Sequence, residues 1–212
     1  MEDLHDFLIA HYDKYAPHTS EERKNQMIAH DVLSVDWKQN PSFMLADYKK
    51  YQMLDGEGIR HSIYVSYCPF NCTGCYNKAA QKRSYGTHIE DTEGFIQQVC
   101  HDVDNPRVDG ITLVGGEPFL SATHLIPVVQ AMRDKHPDKT IWSYSGFLYE
   151  ILSNAHDEKR QLLELIDVLI DGQYINEERD IKNTLPFRGS NNQRIIDVQK
   201  SSQTGSTIRY KI

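Results

Sequence analysis

The chain has 212 residues, of which 39% are hydrophobic and 25% are charged, and its formal net charge at pH 7 is −7. This length and composition fit one globular domain with at most an appendage, large enough to bury a core without disulfide staples. The negative charge argues against a nucleic-acid partner. Because no long apolar run or secretory signal is present, we expect no membrane segment and a cytoplasmic location.

The N-terminal segment, residues 1–35, carries apolar side chains at helical spacing and therefore predicts two helices. These positions are Leu4, Leu8, Tyr12 and Tyr15 in the first helix, and Met27, Ile28 and Leu33 in the second. The segment contains no recognisable catalytic or metal-binding pattern. We therefore expect a helical extension over residues 1–45 and a separate main domain over residues 46–212.

The main domain alternates between strand-like and helix-like segments. Strands are predicted at 62–66, 111–114, 140–144 and 168–170. Between them, one helix is predicted to begin at Thr92, one to be capped by Ser121, and one to contain Leu162 and Leu163. Such alternation implies an α/β fold built from parallel βαβ units.

Candidate functional residues follow these strands directly. They are the cysteine-rich loop 68–75, Gly115–Gly116, Ser145–Gly146 and Asp171–Gly172. Parallel sheets bind ligands at the carboxyl ends of their strands. We therefore expect these segments to gather at one rim of the sheet.

The cysteine-rich loop contains three of the four cysteines in the chain, Cys68, Cys72 and Cys75. In a reducing compartment, clustered cysteines indicate metal or redox chemistry. A [4Fe-4S] cluster bound by three thiolates would leave one iron open to a small molecule. Structural zinc takes four protein ligands, so a zinc site stays open as an alternative, with the fourth ligand from a residue elsewhere. The candidates for that ligand are His61, His88, His101 and Cys100, although Cys100 is also expected to be a core residue.

The cysteine spacing, together with Gly115-Gly116-Glu117-Pro118 after the second predicted strand, resembles the radical S-adenosylmethionine superfamily. Further segments, in the same order, resemble the activating proteins of the anaerobic ribonucleotide reductase. They are residues 48–51 (YKKY), 55–60 (DGEGIR), 75–77 (CYN), 115–119 (GGEPF), 141–146 (IWSYSG), 168–172 (VLIDG), 187–190 (FRGS) and 192–197 (NQRIID). Gly74 before the third cysteine matches these activators, whereas Tyr67 stands where the family usually has glycine.

The resemblance implies a partial (β/α) barrel of the radical S-adenosylmethionine type, with mostly parallel strands and an added N-terminal helical extension. It implies that Cys68, Cys72 and Cys75 hold a [4Fe-4S] cluster whose electron cleaves S-adenosylmethionine. The resulting 5′-deoxyadenosyl radical would then take a hydrogen atom from a glycine of the reductase. The implied partners are the anaerobic ribonucleoside-triphosphate reductase and a one-electron donor such as flavodoxin.

Cofactor-binding residues are also implied by the resemblance. Gly74, Cys75 and Tyr76 would contact the nucleoside, although Tyr76 could instead be a packing residue. Gly115 and Gly116 would approach the methionine end of the cofactor. Glu117 would either bind the cofactor or order its own loop by accepting hydrogen bonds from amides.

Other polar residues near the predicted strand ends have simpler interpretations. Ser143, Ser145 and Asp171 favour turn or capping roles over contacts with the cofactor. Arg188 and Arg194 could pair with a carboxylate of the cofactor or of the partner; a role in partner binding or loop ordering is favoured, with a weak surface salt bridge as the alternative.

Two other functions remain open at this stage. The first is a different radical S-adenosylmethionine enzyme, either the activator of another glycyl-radical enzyme or a small-metabolite synthase. The second is a zinc-stabilised binding module without catalysis, in which loss of the metal would unfold the chain.

Overall fold

The computed structural model describes residues 4–15, 20–33, 38–179 and 186–212. The helices are α1 (Leu4–Tyr15), α2 (Glu21–Leu33), α3 (Thr92–Val103), α4 (Ala122–Lys135), α5 (Tyr149–Ser153), α6 (Glu158–Leu165) and α7 (Val198–Thr204). The strands are β1 (Met44–Gln52), β2 (Arg60–Val65), β3 (Thr87–His88), β4 (Gly110–Gly115), β5 (Thr140–Tyr144), β6 (Val168–Asp171) and β7 (Arg194–Asp197).

The strands form one mixed sheet in the order β3-β1-β2-β4-β5-β6-β7. The four central strands β2, β4, β5 and β6 are parallel, with Ile63 beside Leu113 and Trp142 beside Val168. The edge strands β1, β3 and β7 are antiparallel to their neighbours. The predicted α/β fold is therefore confirmed, with parallel pairing at the centre of the sheet and antiparallel pairing at both edges.

The two faces of the sheet have different cores because side chains alternate along each strand. On one face, strand residues such as Ile63, Leu113 and Leu169 join a large cluster with the apolar sides of α3, α4 and α6. On the other face, Trp142 and Ile170 belong to a smaller cluster with Val168 and Ile195. The segment before β2 also covers this second face, where the Asp55 carboxylate accepts hydrogen bonds from Ser62 and Tyr64.

Several predicted elements agree closely with the structure. The helix predicted to begin at Thr92 does so, and the strand predicted at 140–144 has those bounds. Ser121 precedes α4 as predicted, but its hydroxyl makes no capping hydrogen bond. Strands β1 and β7 were not predicted, because β1 carries charged residues on its exposed side and β7 is only four residues long.

The two helices predicted for the N-terminal segment are present as α1 and α2. Leu8, Tyr12 and Met27 are at most 1% exposed and belong to the same hydrophobic cluster as the sheet. The helices therefore pack onto the main body of the protein. Within the described residues, no helix has the length and apolar character of a membrane span.

Candidate functional site

The loops that follow the central strands meet at the carboxyl end of the sheet, as predicted. Glu117, after β4, lies between the cysteine loop and the loop after β5. Its backbone N–H donates to the carbonyl of Tyr67 at 2.8 Å, and its carboxylate accepts from the Gly146 N–H, also at 2.8 Å. The same carboxylate accepts from the Ser145 hydroxyl at 2.9 Å and from the Phe119 N–H at 3.1 Å. Glu117 therefore links three loops at one rim.

The Glu117 side chain is only 1% exposed. Burial raises the pKa of its carboxyl to about 7, against the lowering effect of the hydrogen bonds from Gly146, Phe119 and Ser145. All of these contacts lie within the protein, as expected for a carboxylate that orders its loop. A contact between Glu117 and the cofactor remains a proposal.

The cysteine loop is anchored at both ends. The Tyr67 N–H donates to the backbone carbonyl of Ala80 at 2.7 Å, and the Cys68 N–H donates to the backbone carbonyl of Gln81 at 3.1 Å. Between the first two cysteines, the buried Phe70 packs edge-to-face on Phe147, with ring centroids 4.8 Å apart. This aromatic contact attaches the loop to the residues that follow β5.

The three thiols of this loop are free and half-buried. Burial raises the pKa of Cys68 well above its usual range, and Glu117 and Cys72 add to the effect. Burial also raises the pKa of Cys72 to about 11, with a further contribution from Cys75. The sulfurs are therefore close enough to influence one another.

The thiols are not arranged around a single metal ion. In the parts of the chain that the structure describes, no three His, Cys, Asp or Glu side chains form a ligand set for one ion. A structural zinc ion requires four such ligands at one point. In a [4Fe-4S] cluster each thiolate binds a different iron, so the three sulfurs need not converge, and this donor set fits the cluster.

The residues considered as a fourth zinc ligand have other surroundings. Cys100 is buried on α3, as its expected core role requires. The two ring nitrogens of His61 lie 3.1 Å from the Tyr51 backbone nitrogen and 3.2 Å from the carbonyl oxygen of Asp102. These backbone contacts account for both nitrogens of the buried His61.

Tyr67, directly before the first cysteine, has a left-handed backbone conformation with φ of 81°. Such a conformation costs a residue with a side chain on the order of 1–3 kcal/mol and persists only where its surroundings enforce it. The backbone hydrogen bonds to Ala80 and Glu117 fix this geometry. The Arg83 guanidinium lies 3.5 Å from the centroid of the Tyr67 ring and packs on its face.

Two of the candidate glycines are required by close contacts within the protein. Gly74 has φ of 75°, and a Cβ there would lie 2.6 Å from the side-chain oxygen of Asn176. A Cβ on Gly116 would lie 2.5 Å from the carbonyl oxygen of Tyr67. The absent side chains thus make room for neighbouring segments of this chain. The contact between Gly74 and the segment after β6 had no signal in the sequence.

The side chain of Tyr76 is fully exposed. The alternative of a packing role is therefore wrong for this residue. Gly115, which ends β4, lies beside Val65 of β2, so it borders the site next to the cysteine loop. Whether Tyr76 and Gly115 contact a cofactor remains a proposal.

The remaining polar candidates are internal to the fold. Ser145 donates its hydroxyl hydrogen bond to Glu117, and the Asp171 carboxylate accepts from the Tyr149 N–H at 2.7 Å. Arg194 is 6% exposed and pairs with both Asp171 and Glu150. The alternative of a weak surface salt bridge is wrong for Arg194, because this ion pair network is buried.

Ser143 and Arg188 also make contacts within the chain. The Ser143 hydroxyl donates to the carbonyl of Tyr144 at 3.1 Å. The Arg188 guanidinium donates to the carbonyl of Gln193 at 3.3 Å, so it contributes to order in the segment before β7.

Comparison with known proteins gives a consistent family assignment. A family model described as a 4Fe-4S single cluster domain matches residues 54–196. A protein of Haemophilus influenzae is 38% identical over 152 residues, which are 70% of this chain and 94% of that protein. A protein of Escherichia coli K12 is 32% identical over 150 residues, which are 69% of this chain and 93% of that protein.

A more distant relative comes from Enterobacteria phage T4 and is 27% identical over 144 residues, covering 67% of this chain and 86% of that protein. All three carry the name anaerobic ribonucleoside-triphosphate reductase-activating protein. The matched region contains the cysteine loop, the Glu117 loop and the strands between them. This chain therefore belongs to the family of anaerobic ribonucleoside-triphosphate reductase-activating proteins, which contains a 4Fe-4S domain.

Proposed function

We propose that this protein activates the anaerobic ribonucleoside-triphosphate reductase, and that it does so as a radical S-adenosylmethionine enzyme. The observation that carries the proposal is the three-cysteine loop at the carboxyl end of a parallel sheet, in a chain whose relatives are named as activators of that reductase. The main domain, residues 46–212, would have the partial (β/α) barrel form of that superfamily. Residues 1–45 would be an extension of it.

Cys68, Cys72 and Cys75 would hold the [4Fe-4S] cluster. Their thiols are free, half-buried and mutually interacting, and their loop is anchored by Phe70 and by backbone hydrogen bonds. When bound, the cluster would supply the electron that cleaves S-adenosylmethionine, and the 5′-deoxyadenosyl radical so formed would take a hydrogen atom from a glycine of the reductase. The electron would come from a one-electron donor such as flavodoxin.

The other site residues would position S-adenosylmethionine and limit access to it. Gly115 and Gly116 border the cysteine loop and would approach the methionine end of the cofactor. The exposed ring of Tyr76, next to Cys75, is available to pack on the nucleoside, and Gly74 would lie beside it. Glu117 would hold the three loops in fixed positions relative to one another, so that the site excludes water around a reactive radical.

The proposal is tested by anaerobic reconstitution with iron and sulfide, followed by reduction in the presence of S-adenosylmethionine. We expect about four irons per chain and formation of 5′-deoxyadenosine. A Cys72→Ser variant should stay folded but lose iron and product. Cys100→Ser is the matched control, because it removes a thiol outside the loop and should retain both.

Other outcomes would support the alternative functions. One tightly held zinc ion, with an unfolded Cys72→Ser variant, would indicate a zinc-stabilised module. Cluster-dependent 5′-deoxyadenosine without activation of the reductase would indicate a different radical S-adenosylmethionine enzyme.

A further inference from the structure

Helix α2 of the N-terminal extension faces the cysteine loop across a cavity. This cavity has a volume of about 220 Å³. Ser20, Arg23 and Met27 form its wall on the helix side, and Thr73 lines it on the side of the cysteine loop. Residues 174–177, which follow β6, complete the lining. Because Thr73 lies between the second and third cysteines, α2 faces the part of the loop that carries two candidate ligands.

The helical pair is held firmly in this position. Met27, on the same helix as Arg23, is 1% exposed and belongs to the main hydrophobic cluster. The Lys24 ammonium group lies 2.9 Å from the Asp13 carboxylate of α1 and 3.0 Å from that of Glu21. Apolar packing of Met27 holds α2 on the body of the protein, and the ion pair between Lys24 and Asp13 joins α2 to α1.

Arg23 brings a positive charge towards Cys72. Arg23 lines the cavity on the side of α2, and Thr73, which directly follows Cys72, lines it on the side of the loop. The guanidinium charge therefore lies across this cavity from the part of the loop that carries Cys72. This helix lies outside the region that defines the family, because the family model begins at residue 54.

We propose that α1 and α2 form an added wall of the cluster site, and that Arg23 stabilises the reduced cluster through its Cys72 ligand. The inference rests on the proposed function, because it requires a cluster at the three cysteines. Reduction adds one negative charge to the cluster, and a nearby cation favours that state. Charge and exposure around a cluster are known to set its reduction potential. Arg23 should therefore raise the potential of this cluster.

The test is a potentiometric titration of the reconstituted cluster, followed by electron paramagnetic resonance. Arg23→Gln should shift the midpoint potential to a more negative value, and Arg23→Glu should shift it further. Arg23→Lys should restore most of the wild-type potential, because it keeps the charge. Lys14→Gln is the control, since it removes the same charge from an exposed position of α1 that does not line the cavity.

The outcomes separate this inference from the proposed function. If the wild-type protein assembles a cluster but Arg23→Gln titrates at the wild-type potential, the role of Arg23 is refuted and the proposed function is retained. A shift of equal size in Lys14→Gln would also refute it, because the effect would then reflect only net charge. If the wild-type protein assembles no cluster at all, the proposed function fails and this inference fails with it. Should Arg23→Glu not fold, Arg23→Gln decides the question.

Discussion

The contacts of Glu117 predict a difference between two substitutions at this position. Its carboxylate accepts hydrogen bonds from the Phe119 N–H and the Ser145 hydroxyl in buried surroundings and from the Gly146 N–H in partly buried ones. Glu117→Ala would remove the acceptor for all three donors at once. Glu117→Gln would keep the volume of the side chain and one acceptor oxygen.

The two costs can be estimated from these contacts. A buried donor left without a partner costs about 1–3 kcal/mol. With three such donors and a small cavity, Glu117→Ala should lower the free energy of unfolding by about 3–5 kcal/mol. Because burial raises the pKa of Glu117 to about 7, its neutral form is well populated near neutral pH. Glutamine keeps the volume of that neutral form but has only one acceptor oxygen, so it leaves at least one of the three donors without a partner. Glu117→Gln should therefore cost about 1–3 kcal/mol at pH 7.

The assay is urea denaturation of the cluster-free protein under reducing, anaerobic conditions. Glu164→Ala serves as the control, because Glu164 is a largely exposed partner of Arg160 and such pairs contribute about 0–1 kcal/mol. Binding of S-adenosylmethionine to the reconstituted variants is then measured separately.

Two results would refute the assignment of Glu117 as the link between loops. The first is a Glu117→Ala variant that unfolds at the same urea concentration as Glu164→Ala. The second is a Glu117→Gln variant of unchanged stability that no longer binds S-adenosylmethionine, which would show that its charge acts directly on the cofactor.

Three further predictions concern stability. Arg194→Met would leave the buried Asp171 carboxylate without its cation and should cost about 3–5 kcal/mol in urea denaturation. Lys135→Met, which removes one partner of an exposed ion pair with Asp104, should cost less than about 1 kcal/mol, and equal losses in the two variants would contradict this. Burial, with the Arg194 charge, lowers the pKa of His11 to about 4, so the unfolded state alone takes up this proton between pH 6.5 and pH 4. As the pH falls through that range, the free energy of unfolding of the wild type should therefore decrease by about 3 kcal/mol more than that of His11→Gln. Parallel pH profiles of the two proteins in urea denaturation would refute this. At Tyr67, where φ is 81°, the glycine variant should be more stable than the alanine variant by about 1 kcal/mol, and the reverse order would show that the backbone is not strained.

The centre of the fold was predictable from the sequence because its strands are short runs rich in apolar, β-branched and aromatic residues. Residues 140–144 illustrate this, since both bounds of the strand were predicted. The antiparallel edges were not predictable from local pattern. In β1, Asp47, Lys49 and Lys50 are all exposed, so the strand lacks the continuous apolar run of a buried strand.

The position of the site was predictable for a topological reason. Once the strands are parallel, their carboxyl ends must share one rim, and the cysteine loop and Glu117 follow two neighbouring strands. The partners of individual side chains were not predictable, because they come from distant parts of the chain. Arg23 lines a cavity with Thr73 of the cysteine loop, about fifty residues later in the sequence, and the Asn176 side chain lies beside Gly74, about one hundred residues earlier.

The central claim is that this protein generates a radical that removes hydrogen from a glycine of the reductase. The most direct measurement uses reductase labelled with deuterium at the α-carbon of glycine. It is incubated anaerobically with the reconstituted, reduced activator and S-adenosylmethionine, and the 5′-deoxyadenosine is analysed by mass spectrometry. We predict that the product carries deuterium and that a glycyl radical signal appears in the reductase. Unlabelled 5′-deoxyadenosine, or no product at all from protein that holds its cluster, would contradict the claim.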